Sequence, residues 1–193
     1  MKSITVFCGA SAGTDEIYLS QARVLGDTLA RQNIHIIYGG ARIGVMGAVA
    51  DGALAAGGGV TGVIPKFLRT KEVAHEGLTS LLLVGTMHER KMKMHELCDG
   101  IIALPGGFGT MEELFEVLTW AQLGLHQKPI GLLNTNGYYD SLISLIQTMA
   151  DRGFLKELNQ KMLLVSDNID NLLRQMDSYI APIVDKWVTD ETT

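Results

Sequence analysis

The chain has 193 residues, 47% of them hydrophobic, with 4 prolines, 2 cysteines and a formal charge of −5. That length suits one domain with a sizeable core, and the acidic balance argues against a general nucleic-acid binder, which would carry a basic face. Two cysteines form no disulfide framework and point to a reducing compartment. Glycine is the outlier: 22 of 193 residues against a usual share of roughly 7%.

The elements follow in chain order. Met1 and Lys2 before Ile4–Cys8, with Ala10-Ser11-Ala12 behind, imitate a small secretion signal. The apolar run is shorter than the roughly 7–15 residues such a signal needs, and it reads instead as a buried first strand. Thr14-Asp15-Glu16 starts a helix running to about Gln32. Ile34–Tyr38 is a second strand, followed by a glycine-rich turn and an alanine-rich helix through Ala56. Val60–Ile64 and Leu81–Val84 are the third and fourth strands, with Met87–Leu97 helical behind the latter. Ile101–Leu104 is the fifth strand and leads into a helix from about Thr110 to Leu123. Ile130–Leu133 is the sixth, with helix Tyr138–Ala150 after it. Met162–Val165 reads as a short seventh, before helix Ile169–Met176. Ile180–Trp187 reads as a C-terminal helix packed on the body or on a partner.

Strands that are apolar throughout, alternating with helices, predict a parallel sheet covered on both faces. The fold class is therefore α/β: one doubly wound, Rossmann-like sheet with right-handed crossovers, spanning 1–188 and followed by a polar tail at 189–193. No uninterrupted apolar run reaches the roughly 18 residues of a membrane span, so a soluble, cytoplasmic protein is expected.

Thirteen of the 22 glycines crowd into Gly39–Gly62 and Gly100–Gly109. In this fold class ligands bind at the carboxyl ends of the strands, near the switch in strand order. Three glycine-bearing loops fall there: Gly9-Ala10-Ser11-Ala12-Gly13, the run from Gly39 and Gly40 through Gly44 to Gly47, and Pro105-Gly106-Gly107-Phe108-Gly109-Thr110-Met111-Glu112-Glu113. Opening a helix, such a loop aims free N–H groups at an anion, with Thr110 able to cap the helix and to bind a phosphate. There is no Gly-Lys pair, which excludes a Walker loop. Glu112 replaces the third glycine of a dinucleotide fingerprint, and the second strand ends without the ribose-gripping acid. A mononucleotide or sugar phosphate fits better than a dinucleotide.

Carboxylates next to a phosphate loop need a reason. Glu112 and Glu113 are expected in the first helical turn, where the helix dipole favours them by roughly 0.3–1 kcal/mol. Glu113 beside a bound ribose could hold its hydroxyls, orient water or stabilise an oxocarbenium-like cation. Met87-His88-Glu89-Arg90-Lys91-Met92-Lys93 supplies three cations at another helix start. A solvated charged face is the plain reading; a bidentate Arg90 and a point charge at Lys91, facing phosphate or carboxylate, is the functional one.

With these segments side by side, the sequence resembles the LOG ("lonely guy") family of cytokinin riboside 5′-monophosphate phosphoribohydrolases, bacterial members of which were once labelled lysine decarboxylases. The likeness runs from Ile4 to about Tyr179 and includes Thr119-Trp120-Ala121-Gln122-Leu123-Gly124 and Lys128-Pro129-Ile130-Gly131-Leu132. It implies hydrolysis of the N-glycosidic bond of an N6-modified AMP to free base and ribose 5-phosphate. It makes Arg90 and Glu113 the catalytic pair. Glu72, Met87, Lys91, Gly106, Gly107, Phe108, Gly109, Thr110, Met111, Glu112 and Thr119, with Gly9, Ser11, Gly40 and Gly44, become the substrate-binding set. It also implies a homodimer with the site near the subunit interface. One departure is Ala41, where many members carry a third glycine; its methyl is expected to tighten the pocket.

No cofactor and no metal is expected: His88 and His95 lack a ligand spacing, and Cys8 and Cys98 read as buried thiols. The methionines and Trp120 read as core or interface filling. Two alternatives remain: a non-catalytic nucleotide sensor in which Glu113 only clamps ribose, and a lysine decarboxylase carrying pyridoxal phosphate on Lys91 or Lys93.

Overall fold

The computed structural model describes residues 1–68 and 74–183. Seven strands form one all-parallel sheet: β1 (Ser3–Phe7), β2 (His35–Tyr38), β3 (Val60–Pro65), β4 (Ser80–Val84), β5 (Gly100–Ala103), β6 (Ile130–Leu133) and β7 (Leu163–Ser166). Their spatial order is β4-β3-β2-β1-β5-β6-β7. The chain steps outward from β1 to β4, then returns to the other side of β1 and steps outward again to β7. The order reverses between β1 and β5, where crossover helices leave the sheet in opposite directions and open a crevice.

The strands alternate sides while staying apolar on both, which is why they read as continuous hydrophobic runs. Ile4, Val6 and Cys8 face the helices α1 (Ile17–Arg31), α2 (Gly44–Ala55) and α7 (Ile169–Asp177), whose Leu25, Leu29, Val49 and Leu172 complete that half of the core. Phe7, Ile37 and Ile101 face α3 (Met87–Glu96), α4 (Phe108–Gln122) and α5 (Asp140–Asp151), against Met94, Leu114 and Val117. Each such fully buried side chain contributes roughly 1.5–3 kcal/mol from removal of apolar surface. Two glycines sit inside helices because α1 and α2 cross at backbone distance. A Cβ on Gly26 would strike the Val49 carbonyl, and one on Gly52 the Arg23 carbonyl.

Several predicted boundaries move. Helix α1 begins at Ile17, its first amide held by the Asp15 carboxylate at 3.0 Å, so Thr14 and Asp15 precede the helix. Helix α4 begins at Phe108 with Gly107 as its cap, two residues earlier than predicted. Thr110 therefore lies inside the helix rather than capping it, and Glu112 and Glu113 occupy the second turn, where the dipole explanation for them is weak. A 3₁₀ turn, Thr135–Gly137, takes up the approach to α5, and a one-turn α6 (Glu157–Gln160) was not foreseen. Residues Ile180 to Ile183 are not helical, which overturns the start of the predicted C-terminal helix. The rest of that helix and the tail 189–193 lie outside the described residues.

Candidate active site

A cleft of about 520 Å³ opens at the β1/β5 switch point. It is lined by Gly9 and Ser11 after β1, Met87 and Arg90 from α3, Gly106 and Gly107 after β5, and Gly109, Thr110, Glu112 and Glu113 from α4. Ten of the sequence-predicted residues thus meet in one place. Lys91 backs the site rather than lining it. Phe108 projects from the helix start, 96% exposed, and Met111 lies partly buried against the α3–α5 side of the core. Thr119 is two turns further along α4, with its hydroxyl donated to the Phe115 carbonyl at 2.7 Å. Glu72 falls outside the described residues.

The three glycine loops do different jobs. The amides of Val45 and Met46 at the start of α2 donate to the carbonyls of Ser11 (3.3 Å) and Gly9 (3.1 Å). That helix end is therefore occupied by the first loop and not offered to an anion. Gly44 (φ +61°) lies where a Cβ would strike Ala10, and Gly40 (φ +84°) hands its carbonyl to the His75 amide at 3.0 Å. Both shape the scaffold without reaching the cleft. Ala41 is fully buried and bridges Ala74, so its methyl does not tighten the pocket.

The α4 loop is the open one. The amides of Gly107, Phe108, Gly109 and Thr110 find no acceptor among the described residues, the usual state of a helix N-terminus awaiting an anion. Gly107 and Gly109 have no positive φ, and a Cβ on either would meet nothing within 4 Å. Among the described glycines without a left-handed φ, these are the two whose added Cβ would meet nothing within 4 Å. Space left beside free N–H groups is space for a ligand.

Around this open helix start the cations of α3 nearest the cleft are buried and partnered. Helix α3 starts with Thr86 accepting from the Glu89 amide (3.1 Å), while the Glu89 carboxylate accepts from Gly85 N–H (2.7 Å). This variant of the capping box stabilises a helix start otherwise loaded with cations. Arg90, only 4% exposed, donates Nε to the Val63 carbonyl (3.1 Å) and Nη2 to the Gly39 carbonyl (3.0 Å). A Cβ on Gly39 would fall on Nη2, so that glycine makes the arginine's seat. The solvated-face reading of this helix fails for Arg90 and Lys91 alike. Lys91, buried, bridges Glu112 (2.5 Å) and Glu116 (3.0 Å). Burial alone would lower its pKa, but these carboxylates outweigh it and the amine is held above its ordinary value.

Glu113 is 8% exposed. Burial pushes its carboxyl up to about 7; the Arg90 and Lys91 charges oppose that rise, and Glu112 and Glu116 add to it. The Cys8 thiol at the cleft floor is likewise raised, chiefly by burial and then by Glu113, which makes it an inert wall rather than a nucleophile.

Comparison with known proteins fits this geometry. A family model described as "Possible lysine decarboxylase" matches residues 46–176. A cytokinin riboside 5′-monophosphate phosphoribohydrolase of Rhodococcoides fascians is 48% identical over 92% of this chain and 90% of its own. The Arabidopsis thaliana enzyme LOG7, of the same name, is 43% identical over 98% of this chain and 89% of its own. The chain belongs to the LOG family. Among solved structures, the molybdenum cofactor binding protein of Rippkaea orientalis shares the fold at 23% identity, with a TM-score of 0.69 over 92% of this chain and 97% of that one.

Sequence reasoning missed several lining residues of this LOG-family cleft. Tyr18 and Tyr138 border it, as do Val45, Met46 and Leu68. Tyr138 carried a signal that could have found it: an aromatic pair directly after the Gly137 turn that follows the next parallel strand, β6.

Proposed function

We propose that this chain hydrolyses the N-glycosidic bond of adenosine 5′-monophosphates, N6-modified ones included, releasing free base and ribose 5-phosphate. The observation that carries the reading is the open Gly107–Thr110 helix start beside a buried carboxylate, in one cleft. The full-length likeness to curated phosphoribohydrolases supports it. The free amides, helped by the helix dipole, hold the 5′-phosphate and so fix the ribose. As the C1′–N9 bond breaks, positive charge grows at C1′, and the ionised Glu113 stabilises it and orients the attacking water, whose oxygen bonds C1′ while the proton it sheds balances the one taken up by the departing base. Arg90 commits one edge to two carbonyls, so it acts on Glu113 as a fixed charge that keeps a useful ionised fraction near neutral pH. Lys91, shared between Glu112 and Glu116, partly offsets their charge and so weakens the repulsion of a phosphate by a Glu112 that grips ribose hydroxyls.

A decarboxylase reading needs a lysine amine free to react. Lys91 is held protonated between two carboxylates, and Lys93 pairs with Glu96 on the exposed side of α3, so the donor set does not suit it. The same proposal has one catalytic domain over 1–188 working as a cytoplasmic homodimer with small nucleotides, and not nucleic acid or membrane, as partners. No described helix is long and apolar enough to cross a membrane. The test is incubation with AMP, N6-isopentenyl-AMP and adenosine, followed by chromatography for free base. Release is expected from the monophosphates only, and Glu113→Ala abolishes it while AMP binding persists. Equal turnover by that variant refutes the assignment, and stoichiometric binding without products would make the protein a sensor.

A further inference from the structure

Resting on that reading of the cleft, we infer that Tyr138 is the positioning residue that aims the phosphate-binding amides and so sets the requirement for a 5′-phosphate. Three successive carbonyls between β5 and α4 are each tied down. The Tyr139 hydroxyl donates to Leu104 O at 2.6 Å, the Gly9 amide to Pro105 O at 3.2 Å, and the Tyr138 hydroxyl to Gly106 O at 2.6 Å. A planar trans peptide holds its N–H opposite its C=O. Fixing the Gly106 carbonyl therefore fixes the direction of the Gly107 N–H, the first of the four free amides. Glycine on both sides of that peptide bond leaves it free to rotate without this restraint.

The tyrosine is itself held. Its ring stands edge-on to Tyr18 (5.7 Å between centroids) and to Tyr139 (4.8 Å). The turn carrying it is closed by Asn134, whose side chain accepts from the Tyr139 amide and donates to Asp140, both at 2.7 Å. Asn136 supplies the left-handed residue this turn needs, at φ +53°. The loop after the neighbouring strand β6 thus clasps the glycine loop after β5. The part-exposed Tyr138 lines the cleft, and burial of its ring does not account for it.

The experiment is Tyr138→Phe, which keeps the ring and removes the hydroxyl. Titration calorimetry with ribose 5-phosphate and with inorganic phosphate is expected to show about tenfold weaker binding, the size of one misdirected charge-assisted hydrogen bond. KM for AMP rises by a similar factor while kcat stays within about twofold. Adenosine binding and the unfolding temperature do not move. Unchanged ribose 5-phosphate affinity, or an equal loss toward adenosine, overturns the inference. So does an equal affinity loss in Tyr139→Phe, which frees the Leu104 carbonyl further from the amides and would mean general stiffening. The binding arms need no turnover: a wild-type protein that binds ribose 5-phosphate but releases no base overturns the proposed activity and leaves the role of Tyr138 to be decided by the titrations.

Discussion

Replacing Gly109 by alanine separates what the fold needs from what the ligand needs. Gly109 is the second residue of α4, has no left-handed φ, and has nothing within 4 Å of where its Cβ would stand. In a helix, glycine is worse than alanine by roughly 0.5–1 kcal/mol, so Gly109→Ala stabilises the unliganded protein and raises Tm by about 1–4 °C at this chain length. The new methyl stands among the free amides and keeps a phosphate from closing on them. Losing one hydrogen bond to a charged group, about 1.5–3 kcal/mol, weakens ribose 5-phosphate binding roughly ten- to a hundredfold. Thermal unfolding without ligand and a calorimetric titration measure the two halves. Gly106→Ala is the contrast, because its Cβ would collide with the Thr110 side chain and approach the Gly9 amide, so it loses stability as well. A Gly109→Ala protein that binds as tightly as wild type would show that the open space is not where the anion sits. One that is less stable would show that the space is not open.

Two further outcomes follow from the charged groups. Glu113 titrates at about 7 when folded against 4.5 unfolded, so the native state retains a proton that the unfolded chain has lost. The Glu113 contribution to stability is therefore full below about pH 4.5 and falls as pH rises to about 7, by about 3 kcal/mol in all. Glu113→Gln removes that slope, so urea unfolding at about pH 5 and pH 8 should show the variant gaining on wild type at the higher pH; a constant gap counts against the buried, raised carboxyl. Gly39→Ala unseats the Arg90 guanidinium from two carbonyls, with an expected cost of roughly 2–4 kcal/mol in stability. Base release should fall to the level of Arg90→Ala, and a stable variant with normal turnover would rule out that seat.

All seven strands and the switch-point location were legible because buried parallel strands leave continuous apolar runs, and the runs of β1, β2, β4 and β5 lead into glycine. Residues just past strand ends were legible for the same reason: Gly9, Ser11, Gly106 and Gly107 all meet in the cleft. What failed was anything decided by one backbone lying against another. The Gly39–Gly47 run looks like a phosphate loop, yet its helix amides are used by the carbonyls of Gly9 and Ser11. Gly39 serves a side chain 51 residues later, through Arg90. The start of α4 moved because Phe108 and Gly109 are poor helix signals, although the loop geometry lets the helix begin there. Arg90 and Lys91 sit in a segment with the charge pattern of an exposed face, and burial became possible only because Val63, Gly39, Glu112 and Glu116 come from distant parts of the chain.

That pairing also resolves why two glutamates stand beside an anion site. The dipole cannot account for them, since both lie in the second turn of α4. Glu112 does not stand alone, because it shares the Lys91 charge with Glu116, at 2.5 and 3.0 Å. Glu113 brings only part of one near neutral pH, because its burial keeps a proton available. A dianionic phosphate arriving at Gly107–Thr110 raises the Glu113 pKa further, since like charges disfavour ionisation. Binding then favours the protonated acid, whereas in the proposed reaction positive charge growing at C1′ favours the ionised one. On that proposal the carboxylate is better matched to the transition state than to the bound substrate, the differential that catalysis requires.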